Sequence, residues 1–183
     1  MLPPFSPGML RGVYKNDEKY RKTYFSEFGE EIYYTSDTAY RDEGGLVRIV
    51  GRADDVIKVA GHRLSTGEME NIVAKNESIA ECAVVGIKDE IRGEVPVVFA
   101  VTMGDKSKEE LTEEIKNVLM KDIGPIAMVK RIYIVDDLPK TRSGKIMRRI
   151  MKKLFTGEEL GDLSTLANPE SVEKLKEAIK SSL

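Results

Sequence analysis

The sequence predicts an α+β fold, and three observations support that prediction. Two apolar runs rich in valine, at residues 81–87 and 95–101, have the length and composition of buried strands. From residue 56 onward, the predicted order is strand, helix, strand, strand, helix, strand, helix, which is the order of a compact α+β unit. Residues 107–121 place four apolar side chains on one face of a helix: Leu111, Ile115, Val118 and Leu119.

The other elements of this region are predicted from caps and periodicity. Ser65 or Thr66 caps a helix over residues 66–75, which has acidic residues in its first turns. The final helix begins near Pro169 and carries one apolar stripe, formed by Val172, Leu175 and Ile179. The remaining predicted elements are strands at residues 56–60 and 130–135 and a helix at residues 146–155.

The start of the chain gives a weaker pattern. A helix is predicted over residues 16–28, with Asn16 as its N-cap, and short strands at residues 32–35 and 46–50 lie on either side of a turn at residues 42–45. One helix and a few short strands bury too little surface for an independent core. The sequence therefore indicates that a further part of the protein lies upstream.

Composition excludes several classes of protein. The chain has 183 residues and a net charge of −2, so it lacks the basic excess that favours nucleic acid or an anionic membrane. No apolar stretch approaches the roughly 20 residues of a membrane span, and the start lacks the order of a signal peptide. Cys82 and His62 are the only residues of their types, which excludes an internal disulfide and a Cys/His zinc site within one chain. We expect a cytoplasmic protein.

The most informative segment is LPKTRSGKIMRR, at residues 138–149. It places Lys145 after a short turn rich in Gly and Ser and at the head of an amphipathic basic segment. A lysine held in this way is a point charge suited to a carboxylate or a phosphate. The segment therefore predicts a binding site for an anion.

Three other residue patterns suggest a nucleotide but are weak in isolation. Asp37, in YTSD, has the chemistry to accept hydrogen bonds from both hydroxyls of a ribose, although an acidic turn residue is the commoner interpretation. Arg52, in VGRADD, suits a ribose or phosphate, and the following Asp54 suits a hinge. A polar turn with a surface ion pair explains the same residues.

The segment AGHRL, at residues 60–64, is the third pattern. Gly61 permits close backbone approach to a ligand, and Arg63 has the reach to contact a phosphate. His62 has no evident nucleophile to activate and is interpreted as a packed or solvent-facing residue. Cys82 lies in an apolar run and is interpreted as part of the core.

The basic residues that follow Lys145 admit two interpretations. Arg148, Arg149, Lys152 and Lys153 form a basic stripe that suits nucleic acid or a modifying enzyme, and this leaves a non-catalytic binding module as an alternative function. No aromatic residues alternate with these charges, however, and the whole chain is slightly acidic. A solvated helix face is the preferred interpretation, and no nucleic-acid partner is expected.

Taken together and in order, these segments resemble the C-terminal end of AMP-forming acyl-CoA synthetases, above all the acetyl-CoA and propionyl-CoA synthetases. That family belongs to the adenylate-forming superfamily, with firefly luciferase and the adenylation domains of peptide synthetases. Three ordered stretches carry the resemblance across most of residues 33–151: YYTSDTAYRDEGGLVRIVGRADDVIKVAGHRL, IAECAVVGIKDEIRGEVPVVFAVT and DIGPIAMVKRIYIVDDLPKTRSGKIMRRI.

The resemblance implies a two-part organisation. Residues 1–53 correspond to the end of a large N-terminal adenylation domain, and residues 54–183 to the small, mobile C-terminal domain that follows it. Asp54 corresponds to the hinge between them. The family's phosphate-binding loop and acyl pocket belong to the large domain and do not occur in this sequence.

The resemblance also implies nucleotide contacts. Asp37 would hold the ribose hydroxyls of ATP or AMP, Arg52 would assist at the same nucleotide, and Arg63 would contact phosphate. Lys145 would be the catalytic lysine that reaches the substrate carboxylate and the α-phosphate, and the lysine that an acyltransferase and a deacylase silence and restore. Before Asp37 the family usually has Gly where this sequence has Ser36.

Coenzyme A is the second expected cofactor. Ala60 and Gly61 would line the pantetheine channel, with Ala60 where Ser is frequent in the family. Met120 falls where acetyl-CoA synthetases often place an arginine for the CoA nucleotide. Main-chain groups at three further residues would hold a structural Mg²⁺, with Asn in the place of the family's usual His: Ala74, Asn76 and Ile79.

The function expected from the resemblance is that of a C-terminal fragment or split subunit of an acetate–CoA ligase, which adenylates a small carboxylate such as acetate or propionate and then forms the CoA thioester. We expect no activity from this chain alone. A separate N-terminal chain is the expected partner for catalysis. Apolar residues before residue 54 favour self-association when that partner is absent.

Overall fold

The computed structural model of the protein describes residues 8–53 and 55–181. The chain divides into two compact units, Met1–Asp54 and Asp55–Leu183. Within the described residues, no helix has both the length and the apolar character needed to cross a membrane. The two units are described in turn.

The first unit contains one helix and one two-stranded antiparallel sheet. The helix α1 is Asp17–Tyr24, and the strands are β1, Asp37–Arg41, and β2, Val47–Arg52. The predicted N-cap is confirmed, because the Asn16 side chain accepts a hydrogen bond from the Lys19 N–H at 3.0 Å.

The strand predicted at residues 32–35 is wrong, because β1 begins only at Asp37. The Tyr34 N–H donates to the Tyr24 carbonyl at 2.8 Å, so the backbone of this segment bonds to the end of α1 instead of to a strand. The Tyr24 and Tyr33 rings stack with centroids 4.7 Å apart. Aromatic contacts therefore override the strand propensity of this segment.

No described side chain of residues 8–53 is buried. On β2, Val47 and Ile49 are 67% and 74% exposed, and the preceding Leu46 is 65% exposed. A two-stranded sheet with an exposed apolar surface of this kind is only marginally stable in water, because its face needs a partner to cover it.

The second unit is built on a five-stranded sheet with helices on both faces. Ser65 and Ser107 cap its first two helices, Ser107 through a complete capping box with Glu110. The elements are β3, Val56–Val59; β4, His62–Ser65; α2, Thr66–Val73; β5, Ile79–Asp89; β6, Gly93–Thr102; α3, Lys108–Asp122; a 3₁₀ turn, Pro125–Ala127; β7, Arg131–Val135; α4, Arg148–Thr156; and α5, Glu170–Lys180.

A long antiparallel hairpin, β5–β6, forms the centre of this sheet. Its ladder runs from the pair Ile79 and Thr102 to the pair Asp89 and Gly93. The other edge of β6 pairs with β3 at Gly93 and with the parallel strand β7 from Val97 onward. The strand β4, which the sequence did not predict, pairs with β3 at the sheet edge.

The β5–β6 hairpin is buried on both faces, so its residues belong to two different cores. One core contains Val84 and Val98 and packs against α2 and α3. The other contains Val85 and Phe99 and packs against α4 and α5. This arrangement explains why both strands appear in the sequence as continuous apolar runs rather than as alternating ones.

Cys82 belongs to the first core, as the sequence predicted. Burial raises the pKa of its thiol to about 12, and the nearby Glu70 carboxylate adds to that rise. At pH 8 the thiolate fraction should therefore be about 10³-fold lower than in the unfolded chain. We expect iodoacetamide to label the folded protein at least that much more slowly than the urea-unfolded protein. Equal labelling rates would contradict the buried position of Cys82.

Candidate functional site

Lys145 lies in a tight hairpin between β7 and α4. The hairpin begins at an antiparallel bridge between Lys140 and Ile146. The Thr141 N–H donates to the Lys145 carbonyl at 2.9 Å, and the Gly144 N–H donates to the Thr141 carbonyl at 2.9 Å. The Lys145 N–H in turn donates to the Thr141 hydroxyl at 3.1 Å. Local hydrogen bonds therefore fix the backbone of Lys145.

The ammonium of Lys145 remains available for a ligand. Its side chain is exposed, and in the part of the chain that the structure describes it has no hydrogen-bond or ion-pair partner. A fixed backbone that carries an unpaired cation is suited to an anion supplied from outside this unit.

A charged cluster anchors the base of the hairpin. The Lys140 ammonium lies 2.7 Å from Glu81 and 3.0 Å from Asp137. The hydrogen bond to Glu81, followed by that to Asp137, raises the pKa of Lys140. The Met147 N–H donates to the Pro139 carbonyl at 2.8 Å and closes the base from the other side.

Arg148, the first residue of α4, provides a second anchor. Both Nε and Nη2 donate to the Glu70 carboxylate, with Nε 2.8 Å from Oε1. Glu70 lies on α2, across the sheet from α4, and its Oε1 also accepts from the Val84 N–H at 2.8 Å. Val84 is on β5, which pairs with β6 along one edge. The ion pair therefore passes around the free edge of β5 and joins α2 and α4, which lie on opposite faces of the sheet. Its carboxylate also gives the Val84 N–H an acceptor at that edge.

The prediction that the basic stripe of α4 is a solvated face is wrong for Arg148, whose side chain is 27% exposed against a Glu70 that is 13% exposed. The signal for this pair was absent from the local sequence, because its partners lie 78 positions apart. The other cations of the stripe also bond within the unit: Arg149 to the Leu160 carbonyl, Lys152 to Glu94 and Lys153 to the Glu159 carbonyl.

Ala60 and Gly61 form the two-residue turn between β3 and β4. The flanking Val59 and His62 are paired, and both turn residues have positive φ, 48° at Ala60 and 85° at Gly61. This is the geometry of a type I′ hairpin turn. His62 and Arg63 follow on β4 and are exposed, so the solvent-facing interpretation of His62 is confirmed.

Ala60 occupies a backbone conformation that favours glycine. We expect Ala60→Gly to raise the free energy of unfolding by up to about 1 kcal/mol, because Gly removes the cost of about 1–2 kcal/mol of a left-handed L-residue, while its larger entropy in the unfolded chain offsets part of that gain. Urea denaturation would measure this change. Gly61→Ala, which adds a side chain at φ 85°, should move stability in the opposite direction.

The turn and the Lys145 hairpin lie near opposite ends of β6. The strand that leads into the turn pairs with β6 at Gly93. Glu81, which anchors the hairpin, lies opposite Val101. Gly93 and Val101 are eight residues apart, or roughly 26 Å at 3.3 Å per residue. One rigid sheet thus carries the two predicted functional segments at separate places.

In the first unit, the structure brings Asp37 and Arg52 together. They are partners in the β1–β2 register, with Oδ1 and Nη1 3.4 Å apart and both side chains partly exposed. Arg52 also donates to the Thr35 carbonyl at 2.8 Å. Ser36 has a φ of 61°, in the left-handed region that glycine adopts most easily. This conformation explains why glycine is the residue expected before Asp37 from the resemblance described above.

The predicted hinge residue, Asp54, lies outside the described residues. The main-chain Mg²⁺ site at Ala74, Asn76 and Ile79 stays a prediction, and the Asn76 side chain there bonds within the chain. The Asn76 amide donates to Glu114 at 2.7 Å, and its oxygen accepts from the Ser78 N–H at 3.0 Å. Among the described residues, no group of three or more His, Cys, Asp or Glu side chains is placed to hold a metal. We therefore derive no chemical step through a metal there.

Comparison with known proteins identifies relatives of this arrangement. Residues 68–145 match the family of AMP-binding enzyme C-terminal domains. The chain is 49% identical to the acetyl-coenzyme A synthetase of Pyrobaculum arsenaticum over 94% of its own length and 26% of that protein. It is 42% identical to the 3-hydroxypropionyl-coenzyme A synthetase of Metallosphaera sedula over 98% of its own length and 27% of that protein. The chain thus spans about a quarter of the length of these relatives.

Solved structures show the same fold. An ATP-bound chimera, RpMatB-BxBclM B1, matches with a TM-score of 0.71 at 26% identity, over 82% of this chain and 29% of the chimera. The amide bond synthetase McbA from Marinactinospora thermotolerans matches with a TM-score of 0.69 at 21% identity, over 82% of this chain and 29% of that enzyme. Residues 68–145 of this chain therefore belong to the family of AMP-binding enzyme C-terminal domains.

Proposed function

We propose that this chain supplies the lysine-bearing domain of an AMP-forming acid–CoA ligase. The observation that carries the proposal is the Lys145 hairpin, because its backbone is fixed by local bonds while its ammonium is exposed and unpaired within the described residues. Lys145 is the residue that we assign to the first half-reaction, the formation of an acyl-adenylate.

In that half-reaction, a carboxylate oxygen attacks the α-phosphorus of ATP. A new O–P bond forms, the bond to the β-phosphate oxygen breaks, and pyrophosphate leaves with its electron pair. Two anions must approach each other, and negative charge accumulates on the phosphoryl oxygens. The Lys145 ammonium offsets this repulsion most strongly in the transition state.

In the second half-reaction, the thiol of coenzyme A attacks the acyl carbon of the adenylate. The C–S bond forms, the C–O bond to AMP breaks, and the thiol proton passes to solvent. The electron pair of that C–O bond stays on the departing AMP phosphate, but no second anion approaches the phosphate in this step, so we assign Lys145 to the first half-reaction alone. We assign the Ala60–Gly61 turn to this step, because no atom of a residue other than Gly61 and its two chain neighbours lies within 4 Å of a Cβ built on Gly61, so a ligand can approach the backbone there.

The distance between the Lys145 hairpin and the Ala60–Gly61 turn supports their assignment to two successive half-reactions. The Lys145 hairpin and the Ala60–Gly61 turn lie near opposite ends of β6, so one substrate position does not meet both at once. Rotation of the second unit about a hinge at residue 54 would present first the lysine and then the turn. We assign the contact with phosphate to Arg63, which is exposed on β4 beside the turn.

Asp37 and Arg52 are assigned to the nucleotide. A partly exposed carboxylate held by an arginine is suited to the two ribose hydroxyls of ATP, with the arginine limiting the rotation of the aspartate. The cofactors of the proposed function are ATP and coenzyme A, and the substrate class is a small carboxylate such as acetate. Mg²⁺ would accompany ATP on its phosphates.

The remaining parts of such an enzyme, a phosphate loop and an acyl pocket, are assigned to a partner. The exposed Val47 and Ile49, on one face of β2, and the exposed Leu46 just before it support this, because an apolar surface of this kind is stabilised when a partner covers it. When no partner is present, self-association through the same face is proposed.

The test is a complementation assay. Purified chain with ATP, acetate and coenzyme A should release no pyrophosphate above a blank. Mixing it with the N-terminal three quarters of the Pyrobaculum arsenaticum relative, which lacks the region matched here, should give turnover that depends on both components. Turnover by the chain alone, or an inert mixture of two folded components, would contradict the proposal.

The alternative of a nucleic-acid-binding module is disfavoured by the internal bonds of the α4 cations. A modifying acyltransferase and a deacylase remain proposed partners at Lys145, because an acyl group on Nζ removes the charge on which the first half-reaction depends.

A further inference from the structure

The segment that follows α4 returns to the base of the Lys145 hairpin. The Ala167 N–H donates to the Lys140 carbonyl at 2.8 Å, and Leu166 forms an antiparallel bridge with Thr141. Leu166 is 6% exposed and packs with Ile150 and other apolar residues in a small third core. This returning segment, residues 166–168, lies beyond residues 68–145, which match the C-terminal domain family.

Asn168 satisfies several polar groups at this base. Its Oδ1 accepts from the Lys140 N–H at 2.9 Å. Its Nδ2 donates to the Leu138 carbonyl at 2.8 Å and to the Asp137 carboxylate at 2.6 Å. An amide is the only side-chain group that accepts and donates in this way while uncharged, because an aspartate would only accept and a lysine would only donate.

Asn168 also completes the charged cluster that anchors the hairpin. One oxygen of Asp137 accepts from Asn168, and the other lies 3.0 Å from the Lys140 ammonium. Hydrogen bonds from Lys140, Asn168 and the Leu138 N–H lower the pKa of Asp137 against the opposing effect of burial. Lys140 bonds onward to Glu81 on β5, so Asn168 connects the tail to the sheet through the base of the hairpin.

We propose that Asn168 is a positioning residue for Lys145, and that the returning tail sets where the hairpin presents its ammonium. The proposal rests on the proposed function of Lys145. The physical reason is that the closing bonds of the hairpin are local, whereas its direction relative to the sheet is set by the tail together with the Lys140–Glu81 and Arg148–Glu70 pairs. A displacement of about 1 Å at a catalytic cation is enough to cost up to 10²-fold in rate.

The first arm of the test uses the 183-residue chain alone. The probe is the Met147 amide, which bonds to the Pro139 carbonyl at the base of the hairpin. Asn168→Ala should lower the protection of this amide against hydrogen exchange by about 10-fold. The amides of β5 and β6 should keep their protection relative to each other. Ser107→Ala, which removes the cap of α3, is the matched control: it should lower global stability without a selective change at the hairpin.

The second arm measures the two half-reactions in the complemented enzyme. Asn168→Ala should slow pyrophosphate release about 10-fold and leave thioester formation from preformed acetyl-adenylate unchanged. Asn168→Asp keeps the shape and the acceptor but puts a second carboxylate beside Asp137, so it should be at least as slow as Asn168→Ala. Ser107→Ala should change neither rate.

Two results would overturn the inference while leaving the proposed function intact: hairpin protection that is the same in Asn168→Ala and wild type, or adenylation that is unchanged in both Asn168 variants while Lys145→Ala is impaired. If Lys145→Ala itself leaves adenylation unchanged, the proposed function fails, and the assignment of Asn168 fails with it.

Discussion

Lys145→Ala should slow acyl-adenylate formation in the complemented enzyme by about 10²–10³-fold, the effect of removing one preorganised charge from a developing anion. The hairpin bonds that involve residue 145 use its backbone, so the substitution removes the ammonium without removing those bonds. The measurement is pyrophosphate release at saturating ATP and acetate. The unfolding midpoint of the chain should stay the same, because the side chain is exposed.

Two further variants separate charge from geometry. Lys145→Arg keeps a positive charge but replaces a compact ammonium with a planar guanidinium, so it should restore only part of the lost rate. Arg142→Ala removes a neighbouring exposed cation from the same hairpin and should change the rate by less than about 3-fold, because an exposed charge is largely screened. Equal losses in Lys145→Ala and Arg142→Ala would indicate a general field effect instead of a positioned lysine.

Glu70→Ala should have the largest effect on stability, lowering the free energy of unfolding by about 2–4 kcal/mol. The substitution leaves the guanidinium of Arg148 uncompensated in a mostly buried position. It also removes the acceptor of the Val84 N–H at the edge of β5. For a chain of this length, the midpoint of thermal unfolding should fall by roughly 5–15 °C.

Comparison variants within the same unit make this prediction specific. Glu113→Ala breaks an exposed ion pair with Lys116 on α3 and should cost less than about 0.5 kcal/mol. The double variant Glu70→Leu with Arg148→Met removes both charges, so it should be more stable than Glu70→Ala, because no buried charge remains unpaired. Urea denaturation measures all three. A Glu70→Ala cost no larger than that of Glu113→Ala would show that the pair does not hold the two layers together.

The central architecture of the second unit could be predicted from sequence because its signals are local. The valine-rich runs indicated β5 and β6, and the apolar face of residues 107–121 indicated α3. The short strand β4 was missed because its four residues, His62–Ser65, gain their strand geometry from pairing with β3 and not from composition. The same reasoning explains the wrong strand at residues 32–35, where ring stacking outweighed propensity.

The candidate site, like the fold, could be predicted only where its signals are local in sequence. The motif around Lys145 was identified from sequence because its turn chemistry and its charges are contiguous. The long-range contacts that hold the hairpin were not, because Arg148 meets Glu70 across 78 positions and Asn168 meets Lys140 across 28. A basic stripe on a helix is usually solvated, and nothing in the local sequence indicates that a carboxylate from another layer will reach it. Long-range contacts therefore supply what determines the position of the lysine.

The most direct test of the two-step account is thioester formation from synthetic acetyl-adenylate and coenzyme A, measured in the complemented enzyme with Lys145→Ala. Because the lysine is assigned to the first half-reaction only, we expect a rate within about 2-fold of wild type, even though pyrophosphate release falls by about 10²–10³-fold. A thioester rate that falls in parallel with pyrophosphate release would contradict the assignment of Lys145 to a single half-reaction.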